Sequence, residues 1–202
     1  MPNPDMKLKN TILYMLKRSA AHRPPLTVLL KMLWYADYAH YSEFLTSITG
    51  ARYVAMKRGP VVDGYKALFD QMEQAGMLTQ EKVVSARFPE SPTQYYSAAV
   101  MYDAAVFEES EIDMMEAVIA ACAHKTGKDL SDSTHGRGEP WTLVWDEDRS
   151  TPAKPIPEVL WRWSENLPDE TDLVLAREDV GRGHVKASLA KLRSEERPLT
   201  PA

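Results

Sequence analysis

The chain has 202 residues, enough to bury one substantial core, and its 29 acidic against 24 basic side chains give a formal net charge of −5. This acidic balance disfavours non-specific binding to nucleic-acid backbones, whose phosphates attract basic proteins. The single Cys122 cannot form an internal disulfide, which fits a reducing cytoplasm. No signal peptide and no run of about 18 apolar residues is recognised, so no membrane span is predicted.

Two amphipathic helices are predicted before Gly50. Apolar residues recur at helical spacing over residues 5–21, and the Pro-Pro pair at 24–25 is expected to end that helix. A second stripe covers residues 27–45 and includes the aromatic series Trp34, Tyr35, Tyr38 and Tyr41. They cover more than one helical face, so we expect some of them to remain exposed as a surface for a partner.

A short strand over residues 53–57 is predicted to enter a third helix through a Gly59-Pro60 corner. Gly59 tolerates a positive backbone dihedral, and Pro60 suits the first turn of a helix. The apolar face of this helix includes Tyr65, and the helix is expected to end at residues 75–76.

The basic pair Lys57-Arg58 at the corner has two interpretations. A solvated pair at a strand end is one of them. The other is a binding site for an acidic partner or a phosphate group.

The second half of the domain is predicted to mix strands and helices. Residues 77–87 and 94–100 alternate weakly and flank a turn at 89–92, so with residues 53–57 they predict one small antiparallel sheet. Ser110 is expected to cap a fourth helix, and a capping box at 126–129 is expected to open a fifth.

A polar turn follows the fifth predicted helix. It contains His135, Arg137, Glu139 and Trp141. In a structural interpretation, His135 hydrogen-bonds the chain reversal and Trp141 fills the core. In a functional one, a small enzyme or anion-binding protein would use a cleft lined by Asp37, Lys57, Arg58, His135 and Glu139. The five histidines lack the paired spacing of zinc ligands, so no metal is predicted.

The C-terminal region is expected to leave the domain. A last short helix with Val159, Leu160 and Trp163 as apolar positions is predicted after Pro157. We therefore predict a domain over residues 1–168 and a charged tail over 169–202, which is either a docking helix or mobile.

An ordered set of motifs resembles a known family. The motifs are Leu33-Trp34-Tyr35-Ala36-Asp37, Ile48-Thr49-Gly50, Tyr53-x-Ala55, Gly59-Pro60-Val61, Tyr65, and Leu130-Ser131-x-x-x-x-His135 with Trp141. In this order they resemble the SocA-like antitoxin domain, also called the Panacea domain. The resemblance runs over residues 5–163, and Met56 departs from the aromatic residue that many relatives carry there.

The resemblance implies an α+β, mostly helical fold, a helical bundle with a small antiparallel β-sheet. It implies no reaction, no enzyme and no cofactor. It implies an antitoxin, usually encoded beside a bacterial or phage toxin gene, that neutralises a cognate protein toxin by direct contact. One branch of the family resembles proteolytic adaptors that deliver the toxin to an ATP-dependent protease.

The expected site residues fall into two groups. Candidate partner contacts are Tyr35, Tyr38, Tyr41, Lys57 and Arg58. Motif residues expected to hold the fold are Asp37, Gly59, Pro60, Tyr65, His135 and Trp141. Operator binding is a third hypothesis, but no recognition helix or basic stripe stands out, so a nucleic-acid partner is not expected.

Overall fold

The structure is a computed structural model that describes residues 4–86, 88–136, 139–145 and 153–162. Its helices are α1 (Pro4–Arg18), α2 (Leu26–Phe44), α3 (Tyr65–Gln74), α4 (Glu109–Cys122), α5 (Gly127–Thr134) and α6 (Pro140–Val144). Its strands are β1 (Tyr53–Met56), β2 (Gly59–Val62), β3 (Leu78–Ser85), β4 (Phe88–Ala98) and β5 (Lys154–Ile156), with 3₁₀ turns at Ala104–Val106 and Glu158–Arg162. The prediction of a mostly helical α+β fold is confirmed. The predicted tail over 169–202 lies outside the described residues.

Helix α2 is the centre of the core. Residues 28–40 form an unbroken buried run, because α1, α4, α5 and β2 all pack against this helix. A helix enclosed on all sides is expected to be apolar on every face. The exceptions in the run are therefore informative: Lys31, Asp37 and His40 are polar and buried.

The strands form two separate antiparallel sheets. One has the order β2-β1-β5, and the other contains β3 and β4. The predicted single sheet is wrong, because both edges of β1 are already paired: Tyr53 lies opposite Val62 of β2 and Ile156 of β5. Strand β5 is too short for sequence periodicity to reveal it.

The Gly-Pro segment forms a hairpin instead of a corner into a helix. Met56 pairs with Gly59 across the two-residue turn at Lys57-Arg58, and Pro60 continues along β2. Because β2 is an edge strand, its sheet tolerates a proline there. Helix α3 begins only at Tyr65, after Gly64 has turned the chain with a φ of 67°.

Several predicted boundaries need correction. The predicted turn at 89–92 lies inside β4, and β3 and β4 meet where Ser85 pairs with Phe88. Prolines are tolerated within β4 because each strand of a two-stranded ribbon has an unpaired outer edge. Helix α1 ends at Arg18, where a turn follows, before the Pro-Pro pair is reached.

The helix caps agree with the sequence in one of two cases. The capping box predicted at 126–129 is confirmed, with Thr126 and Asp129 bonding each other's backbone. Helix α4 begins earlier than predicted, because Glu108 and Glu111 form a capping box and place Ser110 inside the helix. The last element within the described residues is the 3₁₀ turn Glu158–Arg162, in which Trp161 is buried. The predicted apolar Trp163 lies outside those residues. Within the described ranges, no helix combines the length and apolarity needed to cross a membrane.

Candidate functional site

A buried lysine lies on the central helix. Only 3 % of Lys31 is exposed, and its Nζ donates a hydrogen bond to Oγ1 of Thr134 at 3.1 Å. No carboxylate in the described part of the chain forms an ion pair with it. Burial lowers the pKa of Lys31 to about 7, because the ammonium loses hydration. This amine is therefore held beneath the surface without a counter-charge from the described residues.

Gly59 allows the β1–β2 hairpin to approach this amine. A Cβ at position 59 would lie 1.7 Å from Nζ of Lys31 and 2.6 Å from Oγ1 of Thr134, distances at which atoms collide. The φ of Gly59 is also 107°, a conformation that other residues resist. Any larger residue at this position would therefore have to displace the ends of these two side chains and would strain the backbone.

A pocket of about 650 Å³ opens above Lys31, between α2, the hairpin, and the first residues of α3 and α5. Its basic lining residues are Lys31, Lys57, Arg58 and Lys128, and its apolar walls come mainly from Leu30, Met56, Val61 and Tyr65. The lining contains no acidic residue, although acidic residues outnumber basic ones in the chain. We refer to this cavity as the basic pocket.

Two hydrogen bonds fix the hairpin tip that forms the rim of the basic pocket. Oγ of Ser131 on α5 donates to the Arg58 carbonyl oxygen at 2.9 Å. Nε1 of Trp141 on α6 donates to the Met56 carbonyl oxygen, also at 2.9 Å. The backbone of the tip is anchored on both sides, while the side chains of Lys57 and Arg58 are exposed.

His135 and Trp141 pack together behind the pocket. Their rings stack with centroids 3.7 Å apart, and Trp145 stacks on the outer side of Trp141. Burial and the nearby charge of Lys31 lower the pKa of His135. Trp141 is buried, as the structural interpretation predicts. The side-chain hydrogen bond expected of His135 is not made by its Nε2, which is buried without a partner among the residues that the structure describes.

Asp37 holds the chain that leads into β1. Its Oδ1 accepts from the backbone N–H of Thr49 at 2.8 Å, and its Oδ2 accepts from the hydroxyl of Tyr53 at 2.7 Å and from that of Thr49. Burial raises the pKa of Asp37, and these hydrogen bonds oppose that rise. All three donors belong to residues 49–53, so the carboxyl group ties α2 to this segment.

The aromatic side chains predicted as partner contacts are mostly in the core. Tyr35 and Tyr38 are 3 % and 1 % exposed, and the hydroxyl of Tyr35 donates to the Leu130 carbonyl oxygen at 3.1 Å. The expectation that they lie on the surface is wrong, because α2 is enclosed on all its faces. Tyr41 is partly buried and packs edge-on against Trp161, with centroids 5.3 Å apart.

The structure brings together only part of the predicted polar cleft. Lys57 and Arg58 line the basic pocket, whereas Asp37, His135 and Glu139 do not. The five-residue cleft of the enzyme hypothesis is therefore not formed as predicted. Among the residues with described positions, no group of three or more histidine, cysteine or acidic side chains could hold a metal ion.

Sequence reasoning missed two of the four basic lining residues, Lys31 and Lys128. A signal for Lys31 was present, since it is the single charge within an apolar run from Val28 to Ala36. Lys128 offered no comparable signal, because a lysine in the first turn of a short helix is usually only a solvated side chain.

The comparisons with known proteins gave one match. A family model described as "Antitoxin SocA-like, Panacea domain" matches residues 29–142, more than half of the chain. Searches of curated proteins and of solved structures found no match. The matched span begins in α2 and ends in α6, so it contains every lining residue of the basic pocket except Thr27.

Proposed function

The chain belongs to the SocA-like Panacea antitoxin family, and from this membership we propose that it neutralises a cognate protein toxin by binding it directly. The observation that carries the proposal is the match of residues 29–142 to a family whose description names an antitoxin. The toxin is expected to be the product of a neighbouring bacterial or phage gene. We propose the cytoplasm as the site of the encounter, in keeping with the single cysteine of the chain, Cys122, which is buried and cannot form an internal disulfide.

The hairpin tip is the proposed contact surface. Lys57 and Arg58 project from it, and Met56 beside them is 39 % exposed. The hydrogen bond from Trp141 to Met56 holds the tip next to α6, where Leu143 is 54 % exposed. The surface therefore combines cationic and apolar groups on an anchored backbone, and a pre-ordered surface loses little conformational entropy on binding.

Burial decides which of the three predicted tyrosine contacts on α2 remain candidates. Tyr41 is retained as a candidate because the residue is only partly buried. Tyr35 and Tyr38 are not retained, because a partner could reach them only after the core had opened. Replacing either would test folding instead of binding.

Two modes of neutralisation are compatible with direct binding. In sequestration, the antitoxin holds the toxin in a stable complex. In the adaptor mode, the antitoxin delivers the toxin to an ATP-dependent protease, which degrades it. Both modes require the same first step, so the contact surface is proposed for either.

Co-expression with the product of the neighbouring gene tests the proposal. We expect the wild-type chain to restore growth, and the double variant Lys57→Ala/Arg58→Ala to restore it poorly while accumulating to a normal level. The matched control is Lys82→Ala, which removes an exposed lysine from the separate β3–β4 ribbon. Co-purification with a persistent toxin would indicate sequestration, and rescue with loss of the toxin protein would indicate an adaptor. Failure of the wild-type chain to rescue growth or to bind would refute the proposal.

A further inference from the structure

We propose that the basic pocket binds a small phosphorylated ligand with an apolar or aromatic body, the chemical class that includes nucleotides. The inference is independent of the antitoxin function, because it concerns a ligand of the isolated chain. It rests on the charge, depth, size and walls of the pocket.

The charge of the lining favours an anion with more than one negative charge. Three of the four basic lining residues, Lys31, Lys57 and Arg58, form no ion pair within the described ranges. Burial lowers the pKa of Lys31 to about 7, so its amine is charged in part at neutral pH, and a bound anion would favour the charged form. The fourth, Lys128, pairs with Asp132 on the outer side of α5 but remains largely exposed. A single carboxylate would neutralise only one of these three groups and a phosphate monoester about two, whereas a diphosphate carries enough charge and oxygen atoms for all three.

The depth of Lys31 favours a ligand that enters the cavity. Its amine is nearly inaccessible from solvent and, among the described side chains, is hydrogen-bonded to the hydroxyl of Thr134. Lys31 is one of the lining residues, and a buried ammonium without a counter-charge is unfavourable, so an anionic group in the cavity would be attracted to it electrostatically. A broad protein surface would meet Lys57 and Arg58 at the rim but would not reach Lys31.

Size and wall composition favour an organic phosphate over the inorganic ion. A volume of about 650 Å³ is within the usual range for small-molecule sites and far exceeds that of one phosphate group. Leu30, Val61 and the ring of Tyr65 supply apolar walls beside the cations. The first turn of α5 also opens at the pocket through Gly127, and a helix N-terminus adds positive potential there.

Calorimetric titration of the purified full-length chain, in a buffer free of phosphate, tests this inference. The probes are ADP, GDP and UDP, with pyrophosphate, adenosine, citrate and a hexaglutamate peptide as comparisons. We expect at least one nucleoside diphosphate to bind with one-to-one stoichiometry. We expect pyrophosphate and adenosine each to bind at least tenfold more weakly. Pyrophosphate lacks the body that would contact the apolar walls, and adenosine lacks the phosphate groups that would contact the cations.

Two variants connect the binding to the pocket. Lys31→Met keeps the length of the side chain and removes the charge, and we expect it to weaken nucleotide binding at least tenfold. The double variant Lys57→Gln/Arg58→Gln removes only exposed charges and serves if Lys31→Met does not fold. Lys82→Gln is the matched control and is expected to bind as the wild type does.

Three results would overturn the inference. The first is that none of the three nucleotides binds at millimolar concentration. The second is that citrate or the glutamate peptide binds as tightly as the best nucleotide, which would identify a carboxylate site. The third is that the pocket variants bind nucleotide with unchanged affinity.

Discussion

At the scale of single residues, Lys31 is expected to give stability an unusual dependence on pH. Its pKa falls from 10.5 to about 7 on burial. Below pH 7 both states hold the proton, so the folded chain bears the full cost of a buried charge. Between the two pKa values only the unfolded chain holds it, so the free energy of unfolding should rise by up to about 1.4 kcal/mol per pH unit.

The variant Lys31→Met isolates this effect. Without a buried amine, it is expected to be more stable than the wild type at pH 6 and to lack the rise between pH 7 and pH 10. Urea unfolding of both proteins across this range, without added ligand, measures the difference. Lys82→Met should behave as the wild type does, and parallel pH profiles for wild type and Lys31→Met would contradict the buried amine.

Asp37 makes a second prediction at this scale. Asp37→Ala would leave the N–H and hydroxyl of Thr49 and the hydroxyl of Tyr53 without their acceptor in the core. We expect it to lower the free energy of unfolding by about 3 kcal/mol or more, whereas Tyr53→Phe, which removes a single donor, should cost about 1 kcal/mol. Chemical denaturation of the two variants tests this order, and equal losses would show that the three bonds do not converge on Asp37.

At the scale of elements, the approach of the hairpin to α2 depends on Gly59. Gly59→Ala should lower the free energy of unfolding by about 3 kcal/mol or more, because the new methyl group meets Lys31 and Thr134 and the backbone is strained. Gly64→Ala is the matched control. It has a positive φ, but a methyl group there would meet no atom within 4 Å, so strain alone should cost about 1 kcal/mol.

A double variant separates collision from strain. Adding Lys31→Ala to Gly59→Ala removes the nearest colliding group but not the backbone strain. We expect the second substitution to be less destabilising in the Gly59→Ala background than in the wild type. Additive losses in denaturant unfolding would mean that the hairpin and Lys31 are not in contact.

The elements that the sequence predicts well are those whose signals are local. The helical pattern of residues 27–45 and the capping box of Thr126 and Asp129 are each contained in one segment of the chain, and the structure has a helix and a capping box there. Gly59-Pro60 was ambiguous, because the same pair suits the start of a helix and an edge strand. The sheet that contains this segment also includes the pairing of β1 with β5. Because β5 is distant in the chain, no local sequence pattern predicts that pairing.

Across the whole molecule, positive and negative side chains are distributed unevenly. The chain is acidic overall, with a net charge of −5, yet the charged side chains that line the basic pocket are all cationic. Lys57 and Arg58 could be proposed from the sequence as a binding pair. That Lys31 and Lys128 line the same pocket could not be predicted from the sequence, because it depends on how the hairpin, α2 and α5 pack around one cavity.

The same hairpin tip serves both proposals, as the contact surface for a toxin and as the rim of the basic pocket. Lys57 and Arg58 are exposed for the first role and line the cavity for the second. Lys31 belongs only to the pocket, because it is buried. Lys31→Met is therefore expected to weaken binding of the phosphorylated ligand much more than binding of the toxin.

In the proposed function, the chain neutralises a toxin by direct contact through the hairpin tip. The dissociation constant of the purified chain and the product of its neighbouring gene tests this contact most directly, and it is determined for the wild type, Lys57→Ala/Arg58→Ala and Lys82→Ala. We predict a specific complex whose affinity falls at least tenfold in the double variant and is unchanged in the control. Absence of a complex between the folded wild-type proteins would contradict direct neutralisation, and equal affinities in all three forms would contradict the proposed surface.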